Sequence, residues 1–179
     1  MAYGPVIYGN GSGDSEANAI NLNGVEAWNT LANTSADWSK CFKMSNDINF
    51  DGGNIAPCQG NNPFNTNFTF DGQGHTIKNG TLTIVANNNK CALFGATNSG
   101  TATIKNLTVE DITVVGTGTE RAANSSYVAV IVGENYATIS NCIVRNCTIE
   151  HNMGIASNPA YVGAVAGANH GVVTDCTVI

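Results

Sequence analysis

The amino-acid sequence predicts an all-β protein that winds as a parallel β-solenoid under a short N-terminal capping helix. Two observations predict it. Charged residues make up only 11% of the 179 residues, and Asn, Thr, Ser and Gly stand where a helix-rich protein would use Lys and Glu. The second is an internal repeat: Tyr127–Val144 lies over Tyr161–Val178 without a gap, 34 positions on, with Gly133/Gly167, Asn135/Asn169 and Cys142/Cys176 coinciding.

The first residues, 1–9, are apolar and extended in character, and Ala2-Tyr-Gly-Pro-Val-Ile-Tyr8 is too short to fold alone. This extension is expected either to pack as a first strand on its own domain or to be donated to a neighbouring subunit through Tyr3, Val6, Ile7 and Tyr8. It lacks the basic start and long apolar centre of a signal peptide, which points to a mature or engineered N-terminus. Residues 10–179 read as one solenoid domain. Asn23 followed by Glu26 is a capping-box pattern, and Val25, Trp28, Leu31 and Ala32 fall on one helical face. A helix over about 23–34 is therefore expected to shield the first apolar column from water.

Downstream, Thr76-Ile-Lys-Asn-Gly-Thr-Leu82 and Thr103-Ile-Lys-Asn-Leu-Thr-Val109 share a template with Thr138–Val144 and Val172–Val178. The template places Asn79, Asn106, Asn141 and Asp175 in one column, where stacked side chains would satisfy backbone groups that a bend leaves unpaired. An independent turn residue on each coil is the alternative. Ile104, Ile139 and Val173 form an inward column, and Leu107, Cys142 and Cys176 a second. One repeat holds three short β-type runs, Val128–Val132, Thr138–Val144 and Cys147–Glu150, joined by Gly and Asn corners. Runs this short suit parallel stacking at about 4.8 Å; a helical solenoid would need ~10-residue stretches of 3.6-residue periodicity. Thr177, Val178 and Ile179 fall in a strand pattern, and an open coil end there would leave N–H and C=O groups for another chain or further sequence to cover. Combined with a donated N-terminal strand, such a contact would propagate head to tail into a filament.

Phe68–Asn79, with its Asp71-Gly-Gln-Gly-His-Thr-Ile77 core, is followed by Leu93-Phe-Gly95, Thr103–Val109, Val132-Gly-Glu-Asn135 and Ala166-Gly-Ala-Asn169. With Gly11-Ser-Gly-Asp14 and Cys41–Asn49 upstream, this set resembles the GLUG-motif β-helix proteins of bacterial and archaeal surfaces over residues 10–179. The resemblance implies a right-handed parallel β-helix of the pectin-lyase-like kind, usually in adhesins or large exported proteins. It brings no shared catalytic residues.

Seven Lys and Arg against 13 Asp and Glu give a net charge of −6, which argues against nucleic acid as a partner. No apolar run approaches the ~18 residues of a membrane span. Six Cys, an even number in an Asn- and Thr-rich chain, favour an oxidising, extracellular setting. Cys142 with Cys176 and Cys41 with Cys58 are disulfide candidates, stacked free thiols being the alternative; Cys147 takes the place of Ile112, and Cys91 that of Ala129. Asp47, Asn49 and Asp51 before Gly52 make a weak calcium pattern that lacks a Glu at its twelfth position, which is Cys58, and alternate outward residues of a strand explain it as well. Asp71 and His75 read as a turn, with glycines supplying positive φ. No cofactor is implied.

The functional expectation is a non-catalytic cell-surface scaffold that self-associates through its coil ends or N-terminal strand. An adhesin is the first alternative, binding a glycan or surface protein through the loops at 116–126 and 150–159. A pectate-lyase-like enzyme or phage tailspike fragment is the second. Such an enzyme needs acids collected on one face with a basic partner, whereas the Lys and Arg here look scattered and no repeat-to-repeat column collects acids.

Overall fold

The computed structural model describes residues 8–58, 64, 67–84, 90–98, 101–118, 126–153 and 159–179. In chain order the first elements are β1 (Ile20–Leu22), α1 (Val25–Asn33), β2 (Cys41–Met44), β3 (Ile48–Asn49), β4 (Thr69–Asp71) and β5 (Thr76–Ile84). Next come β6 (Lys90–Cys91), β7 (Phe94–Ala96), β8 (Thr103–Lys105), β9 (Thr108–Gly118), β10 (Ser126–Ala129) and β11 (Val132–Asn135). The rest are β12 (Thr138–Ser140), β13 (Ile143–Arg145), β14 (Thr148–Met153), β15 (Ala160–Gly163), β16 (Ala166–Asn169), β17 (Val172–Thr174) and β18 (Thr177–Val178).

The fold is mostly β, and every strand pairing among the described residues is parallel. One sheet runs β1-β2-β4-β8-β12-β17, and another runs β18-β13-β9-β5-β3 with β14 also on β9. Two shorter sheets run β6-β10-β15 and β7-β11-β16. From β10 to β13 and again from β15 to β18 the chain visits the four sheets in one order. The sequence repeat thereby becomes strand pairing: Ile139 lies beside Val173, 34 residues on.

Two expected runs are each divided. Val128–Val132 breaks after Ala129, and Thr138–Val144 breaks at Asn141, whose φ of 50° turns the chain. Asn tolerates this left-handed backbone better than other non-glycine residues. The recurrent glycine has a steric cause: a Cβ on Gly133 would lie 2.6 Å from the Gly95 carbonyl oxygen, and one on Gly167 would lie 2.7 Å from that of Gly133.

Alternation sends every second side chain inward. Ile20, Phe42, Phe70, Ile104, Ile139 and Val173 follow one another in register. Ile48, Ile77, Val109, Val144 and Val178 form a second inward file. At the N-terminal end α1 buries Ala27, Trp28, Leu31 and Ala32. Trp28 meets Phe70 at 6.2 Å and Phe94 at 5.6 Å, both edge to face, and its indole N–H donates to the Ala56 carbonyl at 2.8 Å. The expected capping box is not made. Gly24 is the N-cap, so Ala27 rather than Glu26 occupies the third helical position and no side chain caps the helix.

Candidate functional site

Three files of polar residues hold the corners. Asn141 Nδ2 donates to Asn106 Oδ1 at 2.8 Å, Asn106 Nδ2 donates to Asp71 Oδ1 at 2.9 Å, and Asp175 follows Asn141 in register. Asn106, Asn141 and Asp175 all have φ between 50° and 54°. Asn79 is not among them. Thr76 pairs with Thr108 rather than Thr103, which sets Asn79 opposite Asp111 in a second file with Asp51 and Asn146, again at φ 50–55°. The same tetrapeptide, Thr-Ile-Lys-Asn, leads into two different corners: Thr103 stands beside Thr69, whereas Thr76 stands beside Thr108. The third file joins Thr97 Oγ1 to Asn135 Oδ1 at 2.9 Å and Asn135 Nδ2 to Asn169 Oδ1 at 2.8 Å. Its signal, the coincidence of Asn135 with Asn169, was in the repeat; that of Asp111 and Asn146 stood one residue before the match of Cys147 to Ile112.

The calcium pattern is not assembled. Asp47 accepts from the Thr76 N–H at 3.0 Å and from Lys78 Nζ at 3.3 Å, and His75 Nδ1 lies 3.4 Å away. The Thr76 N–H, with Lys78 adding, holds the Asp47 carboxyl below its ordinary range. Asn49 Oδ1 is taken by the Asp51 N–H at 3.1 Å and Asn79 Nδ2 at 3.0 Å. Asp71 and His75 do not pair either: Asp71 Oδ1 accepts from the Gln73 N–H inside its own turn. Four of the seven basic residues that look scattered in sequence fall into two files, Lys43–Asp71–Lys105 and Lys78–Glu110–Arg145. Lys105 reaches Glu16 at 2.7 Å, and Arg145 reaches Glu110 at 3.3 Å.

All six cysteines are free thiols. Cys142 and Cys176 stand opposite each other, but each donates to carbonyls instead of bridging: Cys142 to Ser140 at 3.3 Å, Cys176 to Thr174 at 3.3 Å. Cys41 lies in β2 beside Thr69, whereas Cys58 makes an isolated bridge to Phe94 of β7, which belongs to another sheet. Burial pushes the Cys91 and Cys142 thiols up to about 12. Cys91 lies opposite Val128, not Ala129, whereas Cys147 does face Ile112.

The two ends differ. Tyr8 rests on its own domain, its ring 5.6 Å from Phe42 and its hydroxyl donating to Asp37 Oδ2 at 3.0 Å. This corrects the donated strand at Tyr8; Tyr3, Val6 and Ile7 lie outside the described residues. The Gly9 N–H donates to the Asn21 carbonyl at 3.0 Å and the Asn21 N–H to that of Asn10 at 3.1 Å, so the second edge of β1 is occupied. At the other end β15, β16, β17 and β18 are each the last strand of their sheet, and no described residue pairs with their outer edges. There the inward files open: relative exposure rises from 0% at Ile139 to 38% at Val173, from 3% at Val144 to 60% at Val178, and from 0% at Val128 to 53% at Val162. Ile179 is exposed beside them. Two stacked ring pairs reach the same end, Tyr127 on Tyr161 at 5.3 Å and Tyr136 on His170 at 4.6 Å.

Along the second corner file runs an open groove of about 320 Å³ lined by Asp51, Gly52, Asn79, Gly80, Thr81, Asp111 and Thr113. The loops at 116–126 and 150–159 lie largely outside the described residues. Among the described residues no helix is long and apolar enough to cross a membrane. No known family model, curated protein or solved structure matches the chain.

Proposed function

We propose that the chain is a non-catalytic extracellular scaffold, a right-handed parallel β-helix akin to the GLUG-motif surface proteins, which associates through the C-terminal end of its stack. The observation that carries this reading is the loss of burial along single files, from Ile139 to Val173 and from Val144 to Val178. Strand edges that expose apolar columns favour a further layer of strands. The β-helix is supported by strand neighbours a full repeat apart, by the recurring order of sheets, and by polar files at the corners. The non-catalytic role is supported by carboxylates already engaged by cations: Asp47 by Lys78, Glu110 by Arg145, and Glu134 by Lys90 at 3.0 Å. Low charge and an Asn- and Thr-rich composition support the extracellular setting.

The groove over Asp51, Asn79 and Asp111 favours a second reading, adhesion to a glycan whose hydroxyls would meet its carboxylates and threonines. One experiment separates the readings. Light scattering and negative-stain imaging of the protein alone should find particles larger than one chain, unchanged by a glycan panel that includes polygalacturonate with and without calcium. Binding by a monomer, lost on Asp51→Asn or Asp111→Asn, would replace the scaffold with an adhesin. Release of sugar fragments would make the chain an enzyme.

A further inference from the structure

We infer that the groove along the second corner file takes an extended, uncharged polysaccharide laid across the strands, about one sugar to a strand. The inference rests on the adhesive reading of that groove and holds whether or not the chain also self-associates.

The lining repeats. Asn79-Gly-Thr81, Asp111-Ile-Thr113 and Asn146-Cys-Thr148 share one pattern, Asn or Asp followed two residues later by Thr. Parallel pairing sets Thr81 beside Thr113 and Thr113 beside Thr148, while Asn79 stands opposite Asp111 and Asn146 follows in the same file. Asn54 bridges to Thr81, and Asp51 is the corner before it, so both files extend by one more strand. Neighbouring strands lie about 4.8 Å apart. A pyranose chain in extended linkage advances by nearly that length per sugar, so each sugar would meet the same pair of groups, an Asp or Asn and a Thr.

These groups are unengaged. Among the described residues the side chains of Asp51, Asp111, Thr81 and Thr113 make no hydrogen bond or ion pair. Nearby carboxylates differ: Asp47 is held by the Thr76 N–H and Lys78, Glu110 by Arg145, and Asp71 by the Gln73 N–H and Asn106. A carboxylate accepts several O–H donors, and a threonine hydroxyl both donates and accepts, which suits the adjacent hydroxyls of a sugar ring. β5 and β9, which carry Asn79, Thr81, Asp111 and Thr113, are each paired on both sides, so the groove is not a sheet edge.

The lining also selects the ligand class. Among its described residues there is no Lys or Arg, so a uronate or sulfate ester would meet Asp51 and Asp111 without a counter-charge. There is no aromatic ring among them either, so the grip comes from hydrogen bonds repeated along the file, and affinity grows with the length of the chain.

The test titrates the intact chain with cello-, xylo- and manno-oligosaccharides of two to six units, three extended and uncharged series, by calorimetry and amide hydrogen exchange. Affinity for at least one series should rise with each added unit up to about four, the strands that the file crosses, and then level off. Amides of residues 51–54, 79–81 and 111–113 should slow, while those of residues 160–179 stay unchanged. Asp111→Gly keeps the left-handed corner free of strain and should weaken the longest probe at least about tenfold. Thr113→Val keeps a β-branched strand residue, should weaken it about five-fold through one lost hydrogen bond, and serves if Asp111→Gly fails to fold. Tighter binding of oligogalacturonates than of every neutral series would overturn the uncharged class and leave the groove adhesive. Affinity that levelled off at two sugars, or exchange that slowed only outside residues 51–113, would overturn a chain laid across these strands. Binding of none of the probes, neutral or charged, would overturn this inference and the adhesive reading together and leave the self-associating scaffold standing.

Discussion

Trp28 lies between Phe70 and Phe94 at one end of the sheets, while Val162, Val173 and Val178 stand exposed at the other. Parallel files of apolar side chains cannot cover their own last member, and the two regions differ in what lies over the file. Near the N-terminus the chain leaves its period to make a cover: Ile20 pairs with Phe42 after 22 residues, and Phe42 with Phe70 after 28. Aromatic rings fill the irregular space, as where Trp38 stacks on Phe64 at 4.7 Å. The later repeats keep their period and use small aliphatic residues, and the files they form are exposed at the last described strands. Regularity is what extends the sheets, and departure from it is what ends them.

Trp28→Ala tests the closed end and should have the largest effect. Removing a fully buried tryptophan with its bond to Ala56 costs about 3–5 kcal/mol. Urea unfolding followed by Phe and Tyr fluorescence or circular dichroism measures it, and a loss under ~1 kcal/mol would mean that α1 is not the cover described here. The open end is tested within one file. Ile139→Ala should cost about 2–5 kcal/mol, whereas Val173→Ala should stay within about 0.5 kcal/mol in dilute solution. If Val173→Ala becomes costly as protein concentration rises, self-association is covering it.

These contrasts also mark what can be read from the residues alone. The gapless match of Tyr127–Val144 to Tyr161–Val178 predicts the pairing of Ile139 with Val173 because identical spacing leaves only one register. Asn141 and Asp175 follow for the same reason. Asn79 does not: Thr-Ile-Lys-Asn occurs before two corners, and nothing local says which corner a tetrapeptide serves. The fate of the cysteines was equally hidden. Strand register brings Cys142 and Cys176 abreast, but whether a thiol turns toward its neighbour or toward the Ser140 carbonyl depends on side-chain rotation that no spacing encodes. The cap was legible as an amphipathic helix, although its start was not, since Gly24 replaces Asn23 at the N-cap.

Asn141 sharpens the account of the corners, with a smaller effect. Asn141→Ala loses the bond to Asn106 and must hold a left-handed backbone, at about 1–2 kcal/mol for the backbone and ~1 kcal/mol for the bond. Asn141→Gly keeps the backbone free of strain and should lose only about the second part. Equal losses would mean that φ is not what selects Asn there.

The smallest expected effect is at Asp47, which ties β5 to the loop before β3. Its carboxyl is held below the ordinary range in the folded chain, chiefly by the Thr76 N–H, so ionisation favours folding. The contribution is fully present above the unfolded pKa of about 3.9 and disappears as pH falls through the lower folded value. Asp47→Asn should therefore lower Tm at pH 7 and converge with the wild type in acid. Because the side chain is 45% exposed, screening keeps the loss small, no more than about 2–4 °C, and added salt should shrink the part owed to Lys78. A deficit that persisted unchanged in acid would mean that the Asp47 charge is not the source, and that the amide had merely disturbed the turn.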